Sequence, residues 1–244
     1  SVEILYWAGC SGAYDTRGKE ISQSVTDIMD KAGVDYACLG NEETCTGDSA
    51  RRIGNEYLFQ MMAQQNKETF DQYDFKKIVT QCPHCFTTLK NDYAEMGIEL
   101  DVVHHSQFID DLIQDEKIKP RPYIDEDITF HDPCYLGRHN NEYDAPRNVL
   151  QSVLQDGSIK EMEQSKSESF CCGAGGGNMW YEIKTGDRIN QNRVEQAVST
   201  EAKTVAAACN FCNIMLEDGV KTTGNENNIK VLDIAEMVSK GLAE

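Results

Sequence analysis

Residues 77–89 read KIVTQCPHCFTTL, and residues 204–216 read TVAAACNFCNIML. In both, a short apolar run of strand character leads to a Cys-x-x-Cys pair and continues with helical spacing. Strand, thiol pair, helix: the same unit is written twice. The cysteines around it repeat too, because Cys45 and Cys172, Cys82 and Cys209, and Cys85 and Cys212 are each 127 residues apart, while Cys10 and Cys134 are 124 apart. Three matches at a single offset identify an internal duplication.

Outward from these pairs the flanking segments also correspond. EILYWA (3–8) and ITFH (128–131) read as buried strands ending near the first cysteine of each half. RRIGNEYLFQMMAQQNKETF (51–70) and GDRINQNRVEQAVSTEA (186–202) carry apolar residues at helical spacing. Each half closes on a strand and a helix, ELDVVHHSQFIDDLI (99–113) and NIKVLDIAEMVSKGL (228–242). This alternation predicts an α/β fold of two tandem repeats, each a small parallel sheet covered by helices. The expected boundaries are 1–116 for the first repeat, 117–127 for a proline-rich, charged linker, and 128–244 for the second. In such folds ligands collect beyond the carboxyl ends of the strands, so the thiols of each half should meet at one place.

Ten cysteines among 244 residues, with 41 acidic against 23 basic side chains and a net charge of −18, narrow the function. The acidity argues against nucleic acid or an anionic membrane surface as partner. No run is long and apolar enough to span a bilayer, and no secretory leader opens the chain. A cytoplasmic location is expected, with membrane association only through a partner. There, dense cysteines indicate metal or redox chemistry rather than a disulfide framework. Adjacent Cys171 and Cys172 do not readily pair with each other, and five thiols per site exceed what tetrahedral zinc accepts. The glycines of CCGAGGGN (171–178) would let backbone N–H groups approach sulfur. Neither a dinucleotide fingerprint nor a ferredoxin C-x2-C-x2-C-x3-C run is present.

The pattern Cys134-x36-Cys171-Cys172-Gly173-x35-Cys209-x2-Cys212 resembles the cysteine-rich CCG domain of the heterodisulfide reductase B and D superfamily, in which tandem copies are usual. The stretches ETCTGDSARRIGNEYLFQ, TQCPHCFTTLKN, VVHHSQF, FHDPCYLGRHN and FCCGAGGGNMW are similar to the C-terminal part of membrane-associated iron–sulfur oxidoreductases of the electron-transferring-flavoprotein:quinone type. The resemblance implies a noncubane [4Fe-4S] cluster on Cys134, Cys171, Cys172, Cys209 and Cys212. The first half departs from the motif, since Thr44 replaces the first of the paired cysteines. Its remaining thiols, Cys10, Cys45, Cys82 and Cys85, are open to a second iron–sulfur cluster, a zinc ion or no metal. The expected function is an oxidoreductase, or the electron-transfer component of one, carrying electrons from a redox partner to a quinone or a disulfide. The partner would be a ferredoxin-type domain, a flavoprotein or a membrane protein. In the resembling oxidoreductases a ferredoxin domain and membrane helices often precede this region, so the chain is expected to be a fragment or one component of a complex. Two alternatives stand beside this reading: a zinc-stabilised interaction module, and a direct thiol–disulfide oxidoreductase using the Cys-x-x-Cys pairs.

Other residues carry expectations of their own. Cys38, in the apolar run 34–39, reads as a buried core thiol. His84, inside the first Cys-x-x-Cys, is either a partner of a sulfur or an exposed loop residue. Strand alternation would turn one of His104 and His105 inward and the other outward, so at most one serves a site. His131 is a candidate for handling protons near Cys134. Arg138 and Arg147 are candidates for balancing thiolate charge.

Overall fold

The computed structural model describes residues 1–181 and 185–243. The first half holds a four-stranded parallel sheet of β1 (Val2–Trp7), β2 (Tyr36–Ala37), β3 (Phe75–Thr80) and β4 (Val102–His104), in the order β2-β1-β3-β4. The second holds a three-stranded parallel sheet of β5 (Ile128–Phe130), β6 (Thr204–Ala207) and β7 (Lys230–Asp233), in that order. Parallel sheets need cover on both faces, which is why their strands read as continuous apolar runs without alternation. Every residue of β6 is buried.

Helices supply that cover. In the first half they are α1 (Gly9–Tyr14), α2 (Thr16–Lys31), α3 (Asp48–Arg52), α4 (Glu56–Phe70), α5 (Pro83–Thr87) and α6 (His105–Gln114). In the second they are α7 (Gly137–Asn140), α8 (Asp144–Gln151), α9 (Ile189–Val198), α10 (Asn210–Thr222) and α11 (Ile234–Leu242). The helical stretch expected over 51–70 is two helices, because Gly54 adopts φ +87° and Asn55 caps a new start by accepting from the Leu58 N–H at 3.1 Å. Helices α1, α2, α7 and α8 and the two-residue strand β2 are additions to the expected pattern.

The strongest departure from two independent lobes lies in the core. One hydrophobic cluster runs from Ile4, Leu5, Ile78 and Val79 of the first sheet to Ile128, Phe130 and Ala206 of the second and Ile234 of α11. Helix α2 packs on α11, and α6 on α8. The segment 117–127 joins this core: Ile118 and Ile124 are buried, and Ile124 donates to the Val153 carbonyl at 3.1 Å. Each sheet is confined to one side of that segment.

Candidate metal centres

In each half the first thiol and the Cys-x-x-Cys pair stand just past strand ends, while Cys45 and the pair Cys171–Cys172 come from loops. Cys10 follows β1, Cys82 follows β3, Cys134 follows β5 and Cys209 follows β6. Cys82 and Cys209 are extended residues at the N-termini of α5 and α10, and Pro83 fits the first turn of α5, where its missing N–H is not needed. The start of the 13-residue α10 presents Cys209 to the positive end of the helix dipole, which favours its thiolate, whereas contact with Cys172 and Cys209 pushes the Cys212 thiol well up.

The second-half thiols form one unbroken group. Cys134 meets Cys171, Cys171 meets Cys172, Cys172 meets Cys212, and Cys212 meets Cys209. All ten cysteines are free thiols. Contact with Cys134 and then Cys172 holds Cys171 well below the ordinary thiol range, assisted by the Gly173 N–H at 3.2 Å from its Sγ. Cys134 is pushed up, first by Cys171 and then by burial, and Cys172 is pushed up with it. Burial opposes ionisation of Cys209, but Cys212 and His84 bring it down to about 5. Thiols sharing protons in this way release them together when a metal binds.

Of the four glycines expected to approach sulfur, Gly173 is the one whose N–H bonds a thiol among the described contacts, and it does so at φ +94°. Gly177 serves packing instead: at φ +81°, a Cβ there would stand 2.5 Å from Ile53 Cγ2 of the first half. The turn then places Trp180 so that its Nε1 donates to Ser49 Oγ at 3.0 Å and its ring meets Phe211 edge-on at 6.2 Å.

The charged surroundings differ from expectation. Arg147 forks onto Asp132 at 2.8 and 3.0 Å and also binds Glu161, so carboxylates absorb its charge. Arg138 donates to the Ser169 carbonyl at 2.9 Å. The cation next to the thiols is Arg193, wholly buried on α9. It donates to His131 Nδ1 at 2.9 Å, the Gln164 carbonyl at 2.9 Å, Gln196 Oε1 at 2.7 Å and Ser169 Oγ at 3.3 Å. Burial lowers its pKa to about 10, while Asp132 and the neighbouring sulfurs of Cys212, Cys172 and Cys171 favour its charged form. Sequence reasoning missed it, although a signal existed: Asn190, Arg193, Val194 and Ala197 form the buried stripe of α9, and an arginine on such a stripe needs a reason.

The first half gathers Cys10, Cys45, Cys82 and Cys85 around one small cavity with Asp48, His84 and Phe211. Cys10 meets Cys45, whose pKa this contact brings down to about 6, and Cys85 meets Cys82. The Gly47 N–H lies 3.4 Å from Cys45 Sγ. Thr44 donates to Asn66 Oδ1 at 2.8 Å, so its hydroxyl is engaged by α4. Trp7 Nε1 is a buried donor with no hydrogen-bond partner.

The two centres adjoin. His84 is buried, not exposed: its Nδ1 is 2.8 Å from Asp48 Oδ2, it stacks on Tyr135 at 4.1 Å, and it reaches the Cys209 thiol of the other half. Phe211, its counterpart 127 residues on, lines the first-half cavity. His104 and His105 are both buried, because His105 already begins α6 and strand alternation no longer applies. They join in a chain with Asp233: His105 Nδ1 lies 3.1 Å from His104 Nε2, and His105 Nε2 lies 3.0 Å from Asp233 Oδ1. Cys38 is exposed, since β2 has two residues and ends before it.

The donor set fits an iron–sulfur group. Five contiguous sulfurs exceed a zinc shell, a backbone N–H already bonds one sulfur, and in the other half an indole N–H stands without a partner. Such donors are what tune a cluster.

Comparison with known proteins agrees. The CCG cysteine-rich domain family matches residues 4–90 and again 128–217. The probable iron-sulfur-binding oxidoreductase FadF of Bacillus subtilis is 42% identical over 98% of this chain and 34% of its own. The EtfAB:quinone oxidoreductase of Syntrophomonas wolfei is 43% identical over 98% of this chain and 34% of its own. One polypeptide of the dihydromethanophenazine:CoB–CoM heterodisulfide reductase of Methanosarcina barkeri is 35% identical over 98% of this chain and 59% of its own. The chain thus spans about a third of the length of the first two. Sites and relatives together support an iron–sulfur redox role. Among the described residues, no helix is long and apolar enough to cross a membrane.

Proposed function

We propose that this chain, which belongs to the CCG cysteine-rich domain family, is the thiol-ligated electron-carrying part of a larger oxidoreductase. Cys134, Cys171, Cys172, Cys209 and Cys212 would hold a noncubane [4Fe-4S] cluster. When bound, that group supplies one-electron transfer at a potential set by its thiolates and their N–H donors. The observation that carries the reading is the unbroken contact from Cys134 through Cys171, Cys172 and Cys212 to Cys209.

Around that group the chain's own residues fix the ligands and exclude water. Cys172, Cys209 and Cys212 are buried, the start of α10 orients two sulfurs, and Trp180 lies over the junction with the first centre. The first centre, with four thiols and Thr44 bonded to Asn66, suits a smaller thiolate shell: a zinc ion or a cubane cluster. Electrons would come from a redox partner, a ferredoxin-type domain, flavoprotein or membrane protein, and leave to a quinone or a disulfide. With a net charge of −18, docking should favour a basic partner surface and weaken with salt.

Iron and acid-labile sulfide analysis of anaerobically prepared protein tests this. One cluster in the second half corresponds to about four irons, with brown colour, and Cys172→Ser should lose most of them. A colourless protein containing only zinc would instead support the interaction-module reading.

A further inference from the structure

The second centre has a neighbour that geometry alone leaves ambiguous. A ring nitrogen of His131 and the Sγ atoms of Cys172 and Cys212 all lie within 4.8 Å of one another. Three such groups could form a ligand set, which would make His131 a competitor of the cysteines.

Arg193 decides the matter. Its Nε–H points at His131 Nδ1 at 2.9 Å. Arginine has N–H donors and no acceptor, so Nδ1 must be the accepting, unprotonated nitrogen. The ring proton of neutral histidine then sits on Nε2. To ligate metal through Nε2 the ring would have to lose that proton as well and become an imidazolate, because Nδ1 cannot carry it while it accepts from Arg193. The remaining role for Nε2–H is donation to sulfur.

The first half offers a donor at the equivalent position by another residue. His131 stands three positions before Cys134, and Trp7 stands three before Cys10. Trp7 is wholly buried and its Nε1 has no partner. A Cβ placed on Gly9 would lie 3.1 Å from Cys85 Sγ and 4.0 Å from that nitrogen, so the indole N–H shares the small space that Gly9 leaves beside a thiol. Indole nitrogen is only ever a donor and needs no residue to fix its tautomer. The position equivalent to Arg193, 127 residues earlier, is Asn66, which bonds Thr44, the Cys45 carbonyl and Tyr93. The arginine is found where a histidine has to be made a donor.

We propose that His131 is an N–H donor to the sulfurs of the second centre and not a metal ligand, that Arg193 is the positioning residue that makes it so, and that Trp7 is its counterpart in the first centre. This rests on the cluster reading given above. Donors to sulfur stabilise the reduced, more negative cluster, and the buried Arg193 charge acts in the same direction.

The test uses the iron-loaded full chain with 15N-labelled histidine. Pulsed electron paramagnetic resonance should show a weak nitrogen coupling and an exchangeable proton close to the cluster; a strong, directly bonded histidine nitrogen would overturn the assignment. Folded His131→Leu should keep its iron while its midpoint potential becomes more negative. Arg193→Gln should shift in the same direction, and Arg193→Lys, which can still donate to Nδ1, should stay near wild type. Iron loss from folded His131→Leu, or unmoved potentials in both neutral variants, would contradict it. If a variant does not fold, the coupling measured on the unmutated protein still decides. Wild-type protein without iron would defeat the cluster reading itself, and that is established before any variant is made.

Discussion

Position 44 shows how much one side chain can say. Set against FCCGA, the stretch ETCTG lacks a cysteine, and that difference alone leaves the first centre with four thiols of the motif against five in the second. What the sequence did not disclose was the partner of Thr44, because Asn66 lies 22 residues away and meets it only through the packing of α4. Arg193 was hidden for a similar reason, while the more conspicuous Arg147 proved to be committed to Asp132 and Glu161. The glycine run likewise divides between two duties. Gly173 serves sulfur and Gly177 serves the contact with Ile53. Gly177→Val would place a branched side chain at φ +81° and against Ile53. Strain at such a position costs about 1–3 kcal/mol before any clash, so thermal unfolding should occur at least about 2–4 °C earlier. An unchanged melting temperature would show that this turn is not packed as described.

Elements were legible where the apolar period was strong and the ends were marked. The strands leading to Cys82 and Cys209 fall within two residues of their expected positions. Helix α2 escaped notice because its stripe of Ile21, Val25, Ile28 and Met29 is spread among polar residues. The break between α3 and α4 was written as Gly54-Asn55, a turn and cap inside what otherwise reads as one helix. Removing that cap by Asn55→Ala should cost about 1 kcal/mol, or about 2–4 °C in melting temperature, without altering iron content. Loss of iron from this variant would mean that the α3–α4 corner, which carries Asp48 beside the first centre, is coupled to the clusters more tightly than the geometry indicates.

At the scale of the whole molecule, duplication was visible in the cysteines but the union of the halves was not. Cores are joined by residues that look ordinary in sequence, and only the fold places Ile4 and Ile78 in one cluster with Phe130 and Ile234. Polar contacts cross the same boundary. Arg17 bridges Glu217 and Glu236, and His105 is bound to Asp233, which caps α11 and also accepts from Asn213 at 2.9 Å. Shared burial on this scale predicts that both halves unfold in one cooperative transition, which calorimetry of the iron-loaded chain would register as a single peak; two separated transitions would contradict a common core. Asp233→Ala would leave His105 and Asn213 buried without their partner. A loss of about 1–3 kcal/mol for each group left unpartnered is expected, with a denaturant midpoint shifted accordingly, whereas a total effect below about 1 kcal/mol would contradict the buried contacts described.

Crystals grown without oxygen and measured on both sides of the iron absorption edge would examine the central claim most directly. The account predicts strong iron-specific peaks enclosed by the sulfurs of Cys134, Cys171, Cys172, Cys209 and Cys212, with none of them bonded to His131. A lone zinc peak there, or a disulfide among those five residues, would contradict it.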